Sequence, residues 1–294
     1  MTGLLDRLVG GDILVSDGAM GSLLQSQGLP AGTAPELWNR EHPDVVRGIA
    51  AAYVAAGSDL VLTNSFGGSP LKLGRHGLAA DAADLNRRAA RLAREAAPGQ
   101  YVAGSVGPTG RILADEGGDA TVGELYEAFA VQTHALADGG VDAICVETMS
   151  SLPEALAAVR AAKDSTMLPV FCTFSFNPGR RGFHTMMGVT PDQAARRAAE
   201  AGADVIGTNC GNGIENMIEI VRQMRAAVAD RPILAQANAG MPELVDGVSR
   251  YPETPEFMAE RIGAMIDAGA NLVGGCCGTT PAHIAAIAAA ARRR

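Results

Sequence analysis

Eight short apolar runs, each followed by a longer alanine-rich stretch, set the strongest limit on what this chain can fold into. The runs are ILVS (13–16), DLVLT (59–63), YVAGSV (101–106), DAICVE (142–147), PVFCTFSF (169–176), DVIGTN (204–209), ILAQAN (233–238) and NLVGG (271–275). Most are apolar throughout rather than alternating, the pattern of strands covered on both faces. Between them, helices are expected over 43–57, 80–97, 121–139, 152–163, 190–202, 214–228, 255–268 and 281–292. Eight strand-then-helix units predict an α/β fold, a single (β/α)8 TIM barrel. An open doubly wound sheet is the rival, but no GxGxxG follows the first run.

The punctuation repeats. AAGSD (55–59), DGGVD (138–142), EAGAD (200–204) and DAGAN (267–271) each read as helix end, glycine stop and strand start. A glycine just past a helix suits the left-handed capping position. Pro153, Pro191, Pro255 and Pro281 fall where helices should begin, the first turn being where proline is tolerated. No composition break or linker divides residues 1–294, so one domain is expected. The segments 107–120 and 176–189 are long and glycine-rich; the second is expected near the barrel mouth.

Charge and composition exclude several function classes. The chain has 294 residues, 47% of them hydrophobic, and a formal net charge of −8. A basic footprint for nucleic acid is missing. Arg292, Arg293 and Arg294 form the one basic run and read as a solvated helix end. No basic segment leads into an apolar stretch at the start, and no run of about 18 apolar residues occurs. Neither a secretory leader nor a membrane span is expected, and a cytoplasmic location is the default.

Five cysteines are present: Cys145, Cys172, Cys210, Cys276 and Cys277. An odd count without a leader argues against a disulfide framework. Cys145 and Cys172 lie inside strand runs and read as small buried hydrophobes. Cys210 directly follows the sixth run; Cys276 and Cys277 directly follow the eighth. In a barrel these thiols share the C-terminal rim, where catalytic groups sit. Three thiolates suit Zn²⁺ and leave one tetrahedral position open for a substrate. A tight glycine-rich bend is the plain alternative for the adjacent pair, and a redox or nucleophilic cysteine is another, weakened by the lack of CxxC. His42, His76, His134, His184 and His283 are scattered and read as surface residues, with His184 in the glycine- and arginine-rich segment.

DGAMG (17–21), TNSFGG (63–68), ETMS (147–150), GTNCG (207–211) and GGCCGTTP (274–281), in this order, resemble the homocysteine S-methyltransferase family. PELWN (35–39), GSVGPTG (104–110) and MMGVTP (186–191) extend the resemblance over nearly the whole chain. The family includes betaine–homocysteine methyltransferases and the homocysteine-binding module of cobalamin-dependent methionine synthase. The resemblance implies a barrel with Zn²⁺ held by Cys210, Cys276 and Cys277, and homocysteine as the methyl acceptor at the open position. It also implies that Glu147 holds the substrate's amino group and that Asp17 and Gly18 line the amino-acid pocket. Ser65 and Phe66 are further candidates for that pocket. Asn209 is a candidate for orienting Cys210 or donating to substrate, with a plain turn role as the alternative. Asp17 has a rival role in stabilising its own turn, and Glu147 as a solvated strand-end acid.

The methyl donor is less constrained. Aromatic faces recognise quaternary ammonium groups, yet aromatics make up only 4% of this chain. Where the animal betaine enzymes carry aromatics in the fourth- and second-strand motifs, Thr148 and Gly67 stand here. Trp38 reads as a packing residue. Betaine or a related onium compound is the expected donor. Because the chain ends at Arg294, folate or cobalamin modules are not expected within it, and a separate methyl-corrinoid protein is the alternative source. A non-catalytic zinc- or homocysteine-binding subunit is the reading from another class.

Overall fold

The structure, a computed structural model describing residues 3–245 and 248–293, closes the eight runs into a barrel. Its strands are β1 (Leu14–Val15), β2 (Leu60–Leu62), β3 (Tyr101–Val106), β4 (Ala143–Met149), β5 (Val170–Phe174), β6 (Val205–Asn209), β7 (Ile233–Ala237) and β8 (Leu272–Gly275). Each pairs in parallel with its sequence neighbours, β8 returns to β1, and a parallel bridge from Ser16 to Leu60 joins β1 to β2. The helices that follow the strands are α1 (Pro43–Ala55), α2 (Ala82–Ala96), α3 (Val122–Asp138), α4 (Leu152–Ser165), α5 (Pro191–Glu200), α6 (Ile214–Ala227), α7 (Pro255–Asp267) and α8 (Pro281–Ala291). The expected elements therefore form, with ends shifted by a residue or two. Arg294, the last residue of the expected basic run, lies outside the described residues.

The repeated punctuation has two structural jobs. Gly57, Gly140, Gly202 and Gly269 all take positive φ, between 93° and 115°, just beyond their helices, a region without penalty only for glycine. The residue two places on then reaches across to a neighbouring strand. Asp59 accepts from the Val15 N–H at 2.9 Å, Asp142 from Val102 at 2.8 Å, and Asp204 from Val170 at 2.8 Å. Asn271 does the same for Ile233 at 3.1 Å. Four N–H groups near strand starts thus gain partners at the barrel's lower edge, where unpaired donors would be costly.

Side chains alternate inward and outward along each strand. Outward residues such as Val102, Val146, Cys172 and Ile206 pack under the helices. Inward residues form a second core of Leu14, Leu60, Tyr101, Ala103, Cys145, Phe171, Val205, Leu234 and Leu272. A short helix, Leu4–Val9, closes the lower end by inserting Leu4 and Leu8 into this inner core. Sequence reading assigned it no element. Cys145 and Cys172 are fully buried, one on each side of the sheet, as small hydrophobes should be.

Two loops at the upper rim fold into small antiparallel hairpins rather than irregular covers. One pairs Asn177–Gly179 with Gly182–His184, inside the segment expected near the mouth; the other pairs Glu243–Val245 with Val248–Arg250. No described helix is long and apolar enough to cross a membrane. The surface reading fails for His283. It is buried, bonds through Nδ1 with the Thr280 hydroxyl at 2.9 Å and through Nε2 with the Glu253 carbonyl at 3.0 Å, and so caps α8.

Candidate metal centre and amino-acid pocket

Strand period dictates what faces the barrel mouth. Following the inward positions Ala103, Cys145, Phe171, Val205 and Leu234 upward by two residues gives Ser105, Glu147, Thr173, Gly207 and Gln236. One further step on β6 gives Asn209. The inner barrel is therefore apolar below and polar at the top, and the polar layer forms the floor of the site.

The three rim thiols converge. Cys210 follows β6 with φ of 60°, a left-handed conformation unusual for a residue with a Cβ, and its N–H donates to the Gln236 carbonyl at 3.1 Å. Such backbone strain persists only where surrounding structure enforces it, and it concentrates at functional sites. Cys276 donates its N–H to the Ala237 carbonyl at 2.8 Å, and Cys277 donates to Asn238 Oδ1 at 3.1 Å. Gly278 has φ of 78°, and the Tyr251 ring lies against its α-carbon, leaving no space for a Cβ. These bonds aim Cys276 and Cys277 toward Cys210.

The Sγ atoms of Cys210 and Cys277 lie 3.7 Å apart, and all three Sγ atoms fall within 4.8 Å of one another. Ligands about 2.3 Å from a tetrahedral Zn²⁺ sit about 3.8 Å apart. The trio therefore fits three corners of a zinc tetrahedron. Among the described residues it is the one group of three or more His, Cys, Asp or Glu so placed. Hydrogen bonding within the trio holds the Cys277 thiol below its ordinary value, while contact with Cys210 and Cys277, together with burial, pushes Cys276 up.

All three cysteines open onto a cavity of about 410 Å³, in the size range of small-molecule sites. Glu147 stands on its wall and is buried. Its Oε1 accepts from the Ser105 hydroxyl, and its Oε2 accepts from Asn209 Nδ2 at 3.1 Å. Burial pushes this carboxyl up to about 7. Asp17 lies buried next to Gly18; its Oδ2 accepts the Leu62 N–H at 2.8 Å, and its Oδ1 has no partner among the described residues. Burial holds it well above the usual carboxylate range, with nearby Glu147 adding to the shift. Two buried acids beside a thiol trio form a site short of positive charge, suited to a metal cation and an ammonium group.

Gly18, Ser65, Phe66 and Glu147 line the cavity with the three cysteines. Ser65 turns its hydroxyl inward to the Ser105 carbonyl at 2.7 Å, whereas Phe66 leaves 41% of its surface exposed. Asn209 sits behind the wall as a hub. Its Nδ2 donates to Glu147 and to Thr148 Oγ1, and lies 3.9 Å from Cys276 Sγ; its Oδ1 accepts the Thr148 N–H at 2.8 Å. Sequence reading passed over Ser105, Gln236 and Asn238. The first two were findable from strand parity, being polar residues in register with inward apolar ones. The buried Gln236 Oε1 has no partner among the described residues, and the residue lines the cavity. His76, read as a surface residue, is exposed yet lies on the cavity wall.

Known proteins resemble this chain in sequence and fold. Residues 14–291 match the family described as homocysteine S-methyltransferase. The methionine synthase of Mycobacterium tuberculosis is 35% identical over 309 aligned positions covering 98% of this chain, and that of Mycobacterium leprae is 34% identical over 96%. The chain spans about a quarter of the length of these curated relatives (25% and 24%). Among solved structures, the metallated form of the Escherichia coli homocysteine methyltransferase MmuM superposes with a TM-score of 0.78 at 26% identity, covering 95% of this chain and 96% of that one. Its oxidized form gives 0.77 at 27% identity, covering 98% of each.

Proposed function

Because the chain belongs to the homocysteine S-methyltransferase family, we propose that it methylates the thiol of homocysteine to give methionine, using Zn²⁺ held by Cys210, Cys276 and Cys277 and a small onium donor such as betaine. The observation carrying this reading is the convergence of three thiols with Glu147 on one cavity wall.

Zinc bound there would remove the proton of the substrate thiol and keep the sulfur nucleophilic at neutral pH. The chain's own residues do the positioning. Glu147, steadied by Ser105 and Asn209, accepts the substrate ammonium through a charge-assisted hydrogen bond. Asp17 lies outside the cavity lining and holds the Leu62 N–H behind Gly18. With the amino group fixed at β4 and the sulfur at β6 and β8, the substrate lies across the barrel mouth, and its sulfur faces the rest of the cavity. The sulfur lone pair forms the new S–CH₃ bond as the donor's bond to that methyl breaks; the electron pair leaves on the donor's nitrogen or sulfur, which becomes neutral. Fixing both reactants in line removes much of the entropic barrier. At roughly 20 Å³ per bonded heavy atom, somewhat under the volume of a liquid water, two amino-acid-sized molecules need on the order of 300 Å³. The cavity therefore admits acceptor and small donor together.

A second reading, in which a separate methyl-corrinoid protein supplies the methyl group, is favoured by the likeness to methionine synthases. One assay separates the two. Purified chain is given homocysteine with betaine, dimethylsulfonioacetate, S-methylmethionine, S-adenosylmethionine or methylcobalamin, and methionine is measured beside metal content. Cys276→Ala should lose both zinc and methionine formation. Full activity in a zinc-free Cys276→Ala protein would end the proposal.

A further inference from the structure

One side of the cavity is lined by the loops after β1 and β2: Ala34, Pro35, Glu36, Gly67, Lys72 and His76. Homocysteine, anchored by its sulfur at the cysteines and its ammonium at Glu147, leaves this side unused. Its charges are arranged unequally. Glu36 is 3% exposed, and its Oε1 accepts the Gly67 N–H at 2.6 Å, tying the two loops together. Its carboxylate thus serves the wall. Lys72 sits on the short helix Pro70–Gly74, half-buried; it makes no ion pair with any described residue, although its charge reaches the buried carboxylates of Glu36 and Glu154, which are held by N–H and hydroxyl donors of their own. Among the described residues lining the cavity, it is the only permanent cation. His76, one turn further on, lies on the same wall. Gly67 keeps the approach open: a Cβ there would stand 3.3 Å from Lys72 Cγ and 3.1 Å from Glu36 Oε1.

We propose that Lys72 binds the carboxylate of the methyl donor, so that this side of the cavity selects small onium compounds carrying a carboxylate. The inference rests on the homocysteine reading above and adds the donor's second charge to it. The field of the cavity supports the orientation. The cationic, methyl-bearing end is drawn toward Glu147 and the thiol trio, and the anionic end toward Lys72. Such a donor enters methyl-first. A quaternary ammonium or sulfonium centre bears no proton there, so its recognition is Coulombic and apolar while the carboxylate supplies the hydrogen bonds. After transfer the donor has lost its positive charge and retains the carboxylate, which weakens its hold on the inner end and favours release.

The test uses the zinc-loaded protein and the variants Lys72→Met, which keeps the stem, and Lys72→Arg, which keeps the charge. With betaine or S-methylmethionine, Lys72→Met should raise donor KM about 10- to 100-fold, the loss of a hydrogen bond to a charged group. Homocysteine KM should stay within twofold, and Lys72→Arg should recover most of the effect. Trimethylsulfonium, which has no carboxylate, should be used equally by wild type and Lys72→Met. Binding without turnover gives an independent readout. In saturation-transfer NMR, 3,3-dimethylbutanoate, the carbon isostere of betaine, should bind wild type at least tenfold more tightly than Lys72→Met does, and 3,3-dimethylbutan-1-ol should not distinguish them. Equal binding of acid and alcohol to wild type overturns the proposal. A rise in homocysteine KM with donor KM unchanged overturns it too, because Lys72 would then hold the acceptor's carboxylate. If the chain methylates no homocysteine, the isostere titration still reads this end of the cavity, so the two readings fail separately.

Discussion

Replacing Glu147 with Gln removes a charge and no heavy atom. The amide oxygen still accepts from Asn209, and the amide nitrogen faces Ser105, whose hydroxyl can turn to accept. The local network survives while the ammonium partner is lost. A hydrogen bond to a charged group contributes about 1.5–3 kcal/mol, so homocysteine affinity should fall about 10- to 150-fold. Stability should move the other way. Burial lifts the Glu147 carboxyl from 4.5 to about 7. A raised acid favours the folded state fully below its unfolded value, and that advantage is lost as pH rises through about 7. Above pH 7 the ionised group costs the wild type on the order of 3 kcal/mol. Glu147→Gln should therefore melt several degrees above wild type at pH 8 and level with it at pH 4.5. Ligand binding gives a third signature. Norvaline, with a methyl in place of the thiol, should bind wild type about tenfold more weakly per unit of pH below 7, whereas Glu147→Gln should show a flat profile. Calorimetric titration and thermal melts at both pH values read all of this. Wild-type homocysteine affinity in a Glu147→Gln protein with the expected rise in melting temperature would refute the ammonium-binding role.

Two further changes probe the scaffold. Gly278→Ala should cost about 1–3 kcal/mol, because a Cβ at φ of 78° is strained and meets the Tyr251 ring; displacing the ring should also loosen Cys277, read as weaker zinc retention against a chelator. Leu8→Ala, at the lower plug of the inner core, should cost about 2–5 kcal/mol in denaturant melts and leave kcat and KM unchanged at low temperature, since the plug lies at the opposite end from the site.

The order of elements was legible in the chain because local rules govern it. Strands buried on both faces must be apolar throughout and helices between them must stop; glycine at positive φ marks four of those stops, and a proline in the first turn marks several of the helix starts. The rim cysteines were legible for the same reason: a residue just past an apolar run must sit at a strand end, and all eight ends share one rim. What the small rim hairpins form, and that Leu4–Val9 closes the floor, was not legible. Those segments are too short for a hydrophobic period, and their conformation is fixed by what they cover. Nor could one dimension show that His283 is a buried cap, that Asn209 joins Glu147 to Cys276, or that Lys72 faces the cavity that the cysteines open onto. Each depends on a contact between residues dozens to hundreds of positions apart, and such contacts exist only once the barrel closes. The sequence by itself determined the period, the strand ends and the chemical kinds of group available at the mouth. Closure alone decided distances and burial: it brought Cys210 within 3.7 Å of Cys277 and removed Glu147 from water, the step that gives a common carboxylate an uncommon proton affinity.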